Sequence, residues 1–254
     1  MSKSHDSLVV DQFGPRANAY VTSTVHAAGE DLDQVERILA ARKPDNVLDL
    51  GCGGGHLSYR AAPHARAVTA YDLSADMVAA VADNAAAKGL NNITVRQGPA
   101  EKLPFADVMF DMVLCRFTAH HWHDFAAGLR EARRVIRPGG YAVFIDVVSP
   151  GRPALDTYLQ TVESLRDTSH VRDYSTAEWS SALAAAGFGP GPTTPRRLWM
   201  DFPSWIARMN TPDVFAQAIR AYQAKMSADV VRHFAISADG GFFLDTLTME
   251  CTVS

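Results

Sequence analysis

Cysteine is scarce in this chain: Cys52, Cys115 and Cys251 are the three in 254 residues, with no CxxC or other paired spacing. That excludes a disulfide framework or a thiolate metal knuckle and predicts a reducing compartment. Basic tracts are also missing. Arg133-Arg134 and Arg196-Arg197 are isolated pairs in a chain of net charge −4, so no field draws in nucleic acid, and a nucleic-acid partner is not expected. No apolar window reaches the length of a membrane span. The polar start, Met1-Ser2-Lys3-Ser4-His5-Asp6, lacks the apolar core of a secretory signal, so the expectation is a cytoplasmic protein. Internal repeats and low-complexity tracts are absent too. With 47% hydrophobic residues, the chain can bury a full core, and residues 1–254 read as one domain.

What is present is a rhythm. The first fourteen residues read as loosely ordered, and 16–42 as helical with a break near Gly29; Leu32, Val35, Ile38 and Leu39 share a face. Apolar runs of strand length follow at 47–50, 67–71, 93–97, 109–114 and 141–147. Between them, Met77-Val81-Ala85 and Phe125-Leu129-Ala132-Ile136 have helical spacing. Runs without alternation, separated by helices, imply a parallel sheet covered on both faces, a doubly wound α/β core. After Val148 the rhythm changes. A breaker cluster at 149–153 precedes an inserted helix over 155–165, then a helix over 176–186 with Thr176 as N-cap, and a strand over 196–201. Helical stripes occupy 203–235. At the end, Leu247, Met249, Cys251 and Val253 alternate with polar residues, which predicts an antiparallel strand near a sheet edge.

The most informative stretch is Val47-Leu48-Asp49-Leu50-Gly51-Cys52-Gly53-Gly54-Gly55. An apolar strand ending in a carboxylate and then alternating glycines is a sharp turn into a helix, with backbone free to approach a ligand. Nineteen positions after Gly53, Asp72 closes the next apolar run, where a carboxylate can accept from two ribose hydroxyls. Together they predict a nucleoside-containing cofactor. A nicotinamide fingerprint needs glycine at the first, third and sixth positions, and His56 stands at the sixth. Asp49 before the first glycine repels a pyrophosphate and suits a cationic amino-acid end.

This combination resembles motif I of the class I S-adenosylmethionine-dependent methyltransferases. The resemblance continues through Gly98-Pro99-Ala100-Glu101-Lys102-Leu103-Pro104-Phe105, similar to the family's adenine-side loop. Phe110-Asp111-Met112-Val113-Leu114-Cys115 is similar to its fourth strand, and Arg137-Pro138-Gly139-Gly140 to the turn before its fifth. It extends over about residues 18–188, within the broad small-molecule group that includes the quinone-biosynthesis C-methyltransferases. It implies a Rossmann-like, mostly parallel seven-stranded sheet with a helical lid at 15–42, a cofactor core at 43–148, and substrate-side insertions over 149–254. The implied cofactor is S-adenosyl-L-methionine, leaving S-adenosyl-L-homocysteine, and the implied acceptor is a small molecule. A monomer or homodimer is expected.

By the same resemblance, the backbone of Gly51 and Gly53, with Cys52 between them, stands beside the methionine part, and Asp49 orients the glycine loop or the cofactor's ammonium, with a helix-capping or loop-bracing carboxylate as the alternative. Asp72 binds the ribose, and Leu73 and Met77 pack near the adenine. Relatives commonly place an aspartate where this chain has Pro99; the backbone of Ala100 and the carboxylate of Glu101 are the substitutes. Arg116 is expected near the methionine or adenosyl part, and Tyr20 belongs to a lid segment that also carries Ser23 and His26. His120 and His121 are the candidates for a general base, in a segment that also holds His123. Their spacing is too short for a helical metal pair, so no metal is expected. His26, His170 and Arg172 are candidate substrate contacts, with an inter-helix salt bridge as the alternative for the last two. Two other readings stay open: a nicotinamide-dependent oxidoreductase, and a non-catalytic protein that binds the same cofactor.

Overall fold

Seven strands carry the architecture: β1 (Asn46–Leu50), β2 (Ala67–Asp72), β3 (Ile93–Gln97), β4 (Phe110–Arg116), β5 (Ile136–Val147), β6 (Gly189–Met200) and β7 (Phe242–Thr252). The computed structural model describes residues 3–17 and 29–254. Within these, the helices are α1 (His5–Phe13), α2 (Glu30–Arg42), α3 (His56–Ala61), α4 (Ala75–Ala87), α5 (Phe125–Val135), α6 (Pro153–Arg166), α7 (Thr176–Ala185), α8 (Phe202–Met209), α9 (Asp213–Gln223) and α10 (Ala228–Phe234). The sheet order is β3-β2-β1-β4-β5-β7-β6. Strands β1 to β5 pair in parallel, and β7 runs antiparallel to both β5 and β6. The order reverses between β1 and β4, which opens a crevice beyond their carboxyl ends, where doubly wound sheets bind ligands.

The central apolar runs are strands because both of their faces are covered; β3, at the sheet's edge, is only partly buried. Val47, Leu48 and Leu50 of β1 are fully buried, as are Val113 and Leu114 of β4. One layer of core lies under α2 and α3 (Leu32, Val35, Leu39, Leu57, Ala61), and another under α5 and α7 (Phe125, Leu129, Ala132, Trp179). α5 starts where the Asp124 side chain accepts from the Ala127 N–H at 2.8 Å and buries one stripe. Each large side chain on that stripe contributes about 1.5–3 kcal/mol of burial. A third core joins α6, α8, α9 and α10 to the open end of the sheet through Tyr158, Trp205, Phe234 and Phe242. Among the described residues no helix is long and apolar enough to cross a membrane.

Several expectations shift. Residues 3–14 are not loosely ordered: Ser4 caps α1, its Oγ accepting from the Ser7 N–H, and the helix is held by long-range contacts that periodicity does not register. β5 begins at Ile136, not 141, because Ile136 pairs with Phe110 ahead of a register shift. Arg137-Pro138-Gly139-Gly140 therefore lies inside the strand. Ser175, not Thr176, caps α7, in a reciprocal capping box with Glu178. β6 is longer than expected, because Pro190, Pro192 and Pro195 hide its first half; prolines are tolerated there because β6 is the sheet's edge. β7 is antiparallel and near the edge, as the alternation implies, with only β6 beyond it.

Candidate active site

The turn after β1 is shaped by its backbone. Gly51 and Gly53 have φ of +72° and +47°, in the left-handed region. A Cβ on Gly51 would lie 2.7 Å from the Thr118 Cβ, whereas one on Gly53 would meet nothing within 4 Å. Protein crowds the first glycine, and the second faces open cavity. The N–H groups of Gly51 and Cys52 both donate to the Tyr71 carbonyl, at 2.8 and 2.9 Å.

Two carboxylates brace the turn. Asp49 is buried and accepts from the Ser58 N–H at 2.9 Å and the Ser58 hydroxyl at 2.6 Å, fastening the start of α3. Burial pushes its carboxyl up to about 7 against those two bonds. Asp72 Oδ2 accepts from the Gly53 N–H at 2.8 Å, and Oδ1 from the Ser74 N–H at 2.9 Å. Burial raises this carboxyl as well. Each of its oxygens keeps a second acceptor position for a ligand hydroxyl.

These groups wall one end of a cavity of about 580 Å³, along with Cys52, Leu73, Met77, Ala100 and Glu101. Glu101 is already engaged, accepting from the Asp124 N–H at 3.3 Å and facing His123 Nδ1 at 2.9 Å. Arg116, at the end of β4, also lines the cavity; its Nε pairs with Asp31 of α2 at 2.6 Å. Next to it, Phe117 holds a left-handed φ of +53°, uncommon for an aromatic residue.

The other end is walled by apolar residues, among them Phe13, Phe117, Val147, Trp205 and Leu244, around a polar pole of His120, His121, Glu163, Arg166, Asp167 and Asp173. His120 Nδ1 meets Asp146 Oδ1 at 2.6 Å. Asp146 is fixed in turn by the N–H groups of Ala119, at 3.0 Å, and Val147, at 2.9 Å. Burial opposes charge on the His120 ring, but the facing carboxylate outweighs it and lifts this group to about 9. His121 Nδ1 lies 3.1 Å from the Ser169 carbonyl. A carbonyl only accepts, so Nδ1 carries the proton and the lone pair sits on Nε2. Burial, with His120 beside it, lowers His121 to about 4. α1 closes this end: Phe13 packs edge-on to His121 at 4.9 Å, and His5 Nε2 reaches the His121 carbonyl at 2.8 Å.

Not every candidate reaches the cavity. His170 is buried behind the pole, bonded to Gln160 Oε1 at 3.0 Å, and burial pushes it down to about 2. Arg172 ion-pairs with Asp156 at 3.3 Å and Glu178 at 3.1 Å. Neither of the two is among the wall residues, because α6 and α7 turn them away from it. Tyr20, Ser23 and His26 lie outside the described residues. Asp146, Glu163, Asp167 and Asp173 escaped sequence reasoning. A carboxylate closing the β5 run, as Asp49 and Asp72 close theirs, was the available signal for Asp146.

A glycine turn after β1, an acid closing β2 and a sheet with one reversed strand between β5 and β6 define a doubly wound cofactor-binding fold. Residues 48–144 match a family model described as a methyltransferase domain. Over 200 residues the chain is 48% identical to the uncharacterized protein YafE of Escherichia coli (strain K12), covering 79% of this chain and 97% of YafE. It is 34% identical, again over 200 residues and 79% of each chain, to the uncharacterized methyltransferase YcgJ of Bacillus subtilis (strain 168). The crystal structure of YcgJ has a TM-score of 0.85 at 29% identity, over 89% of this chain and 99% of that one. A demethylmenaquinone methyltransferase of Chlorobaculum parvum is 36% identical over 141 residues, 51% of this chain and 56% of that protein. The chain belongs to the class I S-adenosylmethionine-dependent methyltransferases.

Proposed function

We propose that this protein transfers a methyl group from S-adenosylmethionine to a small-molecule acceptor by in-line displacement. The observation that carries the reading is the Gly53–Asp72 pair: a glycine whose missing Cβ would project into open cavity, hydrogen-bonded to a carboxylate with acceptor positions to spare. The residues present fit the cofactor. Asp72 would take the ribose hydroxyls, and Leu73, Met77 and Ala100 the adenine. Gly51, Cys52, Gly53 and Asp49 would surround the methionine part, with Arg116 closing the side.

The cofactor supplies an activated methyl on a sulfonium. The chain's own residues hold the acceptor, exclude water and manage a proton. Holding two reactants in line is worth about 7–11 kcal/mol in favourable cases. α1 and Phe117, Trp205 and Leu244 form the dry walls. His121 Nε2 is the lone pair available to accept a proton from the acceptor, and His120, oriented by Asp146, supports charge on the reacting group. A small acceptor suits the cavity volume and the lack of basic tracts in the sequence. The name of the Chlorobaculum relative, a demethylmenaquinone methyltransferase, points the same way.

The test is calorimetric titration with S-adenosylhomocysteine, and with NADH in parallel. Micromolar binding of the first and none of the second is expected. Binding of NADH alone would reverse the assignment in favour of an oxidoreductase. Cofactor binding with no methylated product from any acceptor would leave a non-catalytic binder.

A further inference from the structure

We infer that the polar pole of the cavity is a divalent-cation site formed by His120, Asp146 and Asp173. Each offers one ligand atom, and the three atoms lie within 4.8 Å of one another. The residues come from three separate places: the segment after β4, the end of β5 and the loop between α6 and α7. That separation is why no metal-ligand spacing appears in the sequence.

A second observation is independent of the clustering. Asp173 is 1% exposed, and its Oδ2 is buried without a hydrogen-bond partner. The backbone around it is firmly placed: the Asp173 N–H donates to Gln160 Oε1 at 3.1 Å, and Gln160 Nε2 donates to the Asp173 carbonyl at 2.8 Å. The nearest cationic candidate, His170 Nε2, stays 3.9 Å away and is committed to Gln160. An oxygen stranded in this way is costly unless something pairs with it.

Charge balance favours a cation over a neutral group. Asp146, Asp167, Asp173 and Glu163 are all buried at the pole, against two cationic groups: Arg166, which pairs with Glu163 at 3.3 Å, and the His120 ring, which meets Asp146 at 2.6 Å. Buried carboxylates in such excess are usually paired or bound to metal. One imidazole with two carboxylates suits a first-row transition ion better than magnesium or calcium, which prefer oxygen alone. The cation would displace the proton that bridges His120 and Asp146 and would face the acceptor end of the cavity. A hydroxyl bound to it there would lose its proton more readily. The inference concerns the cavity of the proposed methyltransferase but does not depend on its cofactor.

The experiment uses the tag-free full chain, stripped with EDTA and dialysed, then titrated with Co(II), Zn(II) or Mn(II) alone. Cobalt is followed by its visible absorption and all three ions by calorimetry. One equivalent should bind with micromolar or tighter affinity, and binding should weaken at least about tenfold in both Asp173→Asn and His120→Gln. S-adenosylhomocysteine binding by the same variants reports that they are folded, and it tests the cofactor reading separately. No binding of any of the three ions to a protein that still binds S-adenosylhomocysteine would overturn the metal site alone. Metal binding left unchanged by both substitutions would overturn it too, by placing the ion elsewhere.

Discussion

The two ends of the cavity are built from different materials. The end beside β1 and β2 is made largely of backbone. The Gly53 N–H is held by Asp72 and those of Gly51 and Cys52 by the Tyr71 carbonyl, while Asp49 fastens the start of α3 through Ser58; the glycines and both carboxylates come from two short stretches of chain. The acceptor end is made of side chains from six separate places: α1, the segment after β4, the end of β5, α6 with its following loop, α8 and β7. A backbone-built site is written locally, because a left-handed turn needs glycine at fixed positions. A site built from side chains is assembled by packing, and its members need no spacing at all.

Breaking the backbone end should have the largest effect. Gly53→Val forces a branched residue to a φ of +47° and fills the space a ligand would take. Binding of S-adenosylhomocysteine should fall from micromolar to beyond millimolar, a loss of at least about 4 kcal/mol. Normal calorimetric binding by this variant would show that the loop does not face the cofactor.

Asp49 offers a test of stability against pH at the same end. Its carboxyl is pushed up to about 7 from 3.8, with burial as the main cause, so folding favours the protonated form. The stability this group contributes is fully present below about pH 4 and is lost as the pH rises through about 7, by up to about 4 kcal/mol. In Asp49→Asn, urea midpoints between pH 4 and 8 should lose that downward slope. A slope equal to the unsubstituted protein's would mean that other groups produce it.

The acceptor end should behave oppositely. Asp146→Ala removes the partner of His120 and the acceptor for two backbone N–H groups. Turnover on an identified acceptor should drop about 10²-fold, roughly 2.7 kcal/mol, while S-adenosylhomocysteine affinity stays within about twofold. A matching loss of affinity would show that the two ends are one unit. Asp72→Ala is the mirror case. It should weaken S-adenosylhomocysteine by about 1–3 kcal/mol through lost charge-assisted hydrogen bonds, and unchanged affinity would remove Asp72 from the site. Smallest of all is Arg172→Gln. This residue pairs at a partly exposed position away from the cavity, so thermal unfolding should register less than about 1 kcal/mol, with turnover unchanged within about twofold.

The core was legible where burial imposes a pattern. The runs that became β1, β2 and β4 read as strands to within two residues at either end, because both faces of a central parallel strand demand apolar side chains; β3, a half-exposed edge strand, was legible all the same from its short run at 93–97. β6 was half hidden because an edge strand tolerates proline and half-exposed polar residues. α1 was missed because nine residues with little amphipathic character make a helix only when something packs against them; here that is His121 and the chain near Met209.

The sheet's parallel core, the glycine turn and the acid that answers it could be read from the chain alone. Each of these is a demand of local geometry, and local geometry selects residue types at fixed offsets. Tertiary structure alone decided that His120 faces Asp146 and Asp173, that His170 and Arg172 turn away, and that α1 covers the pole. Those relations join residues far apart in the chain, and they exist only once the packing of helices on the sheet has set the distances between them.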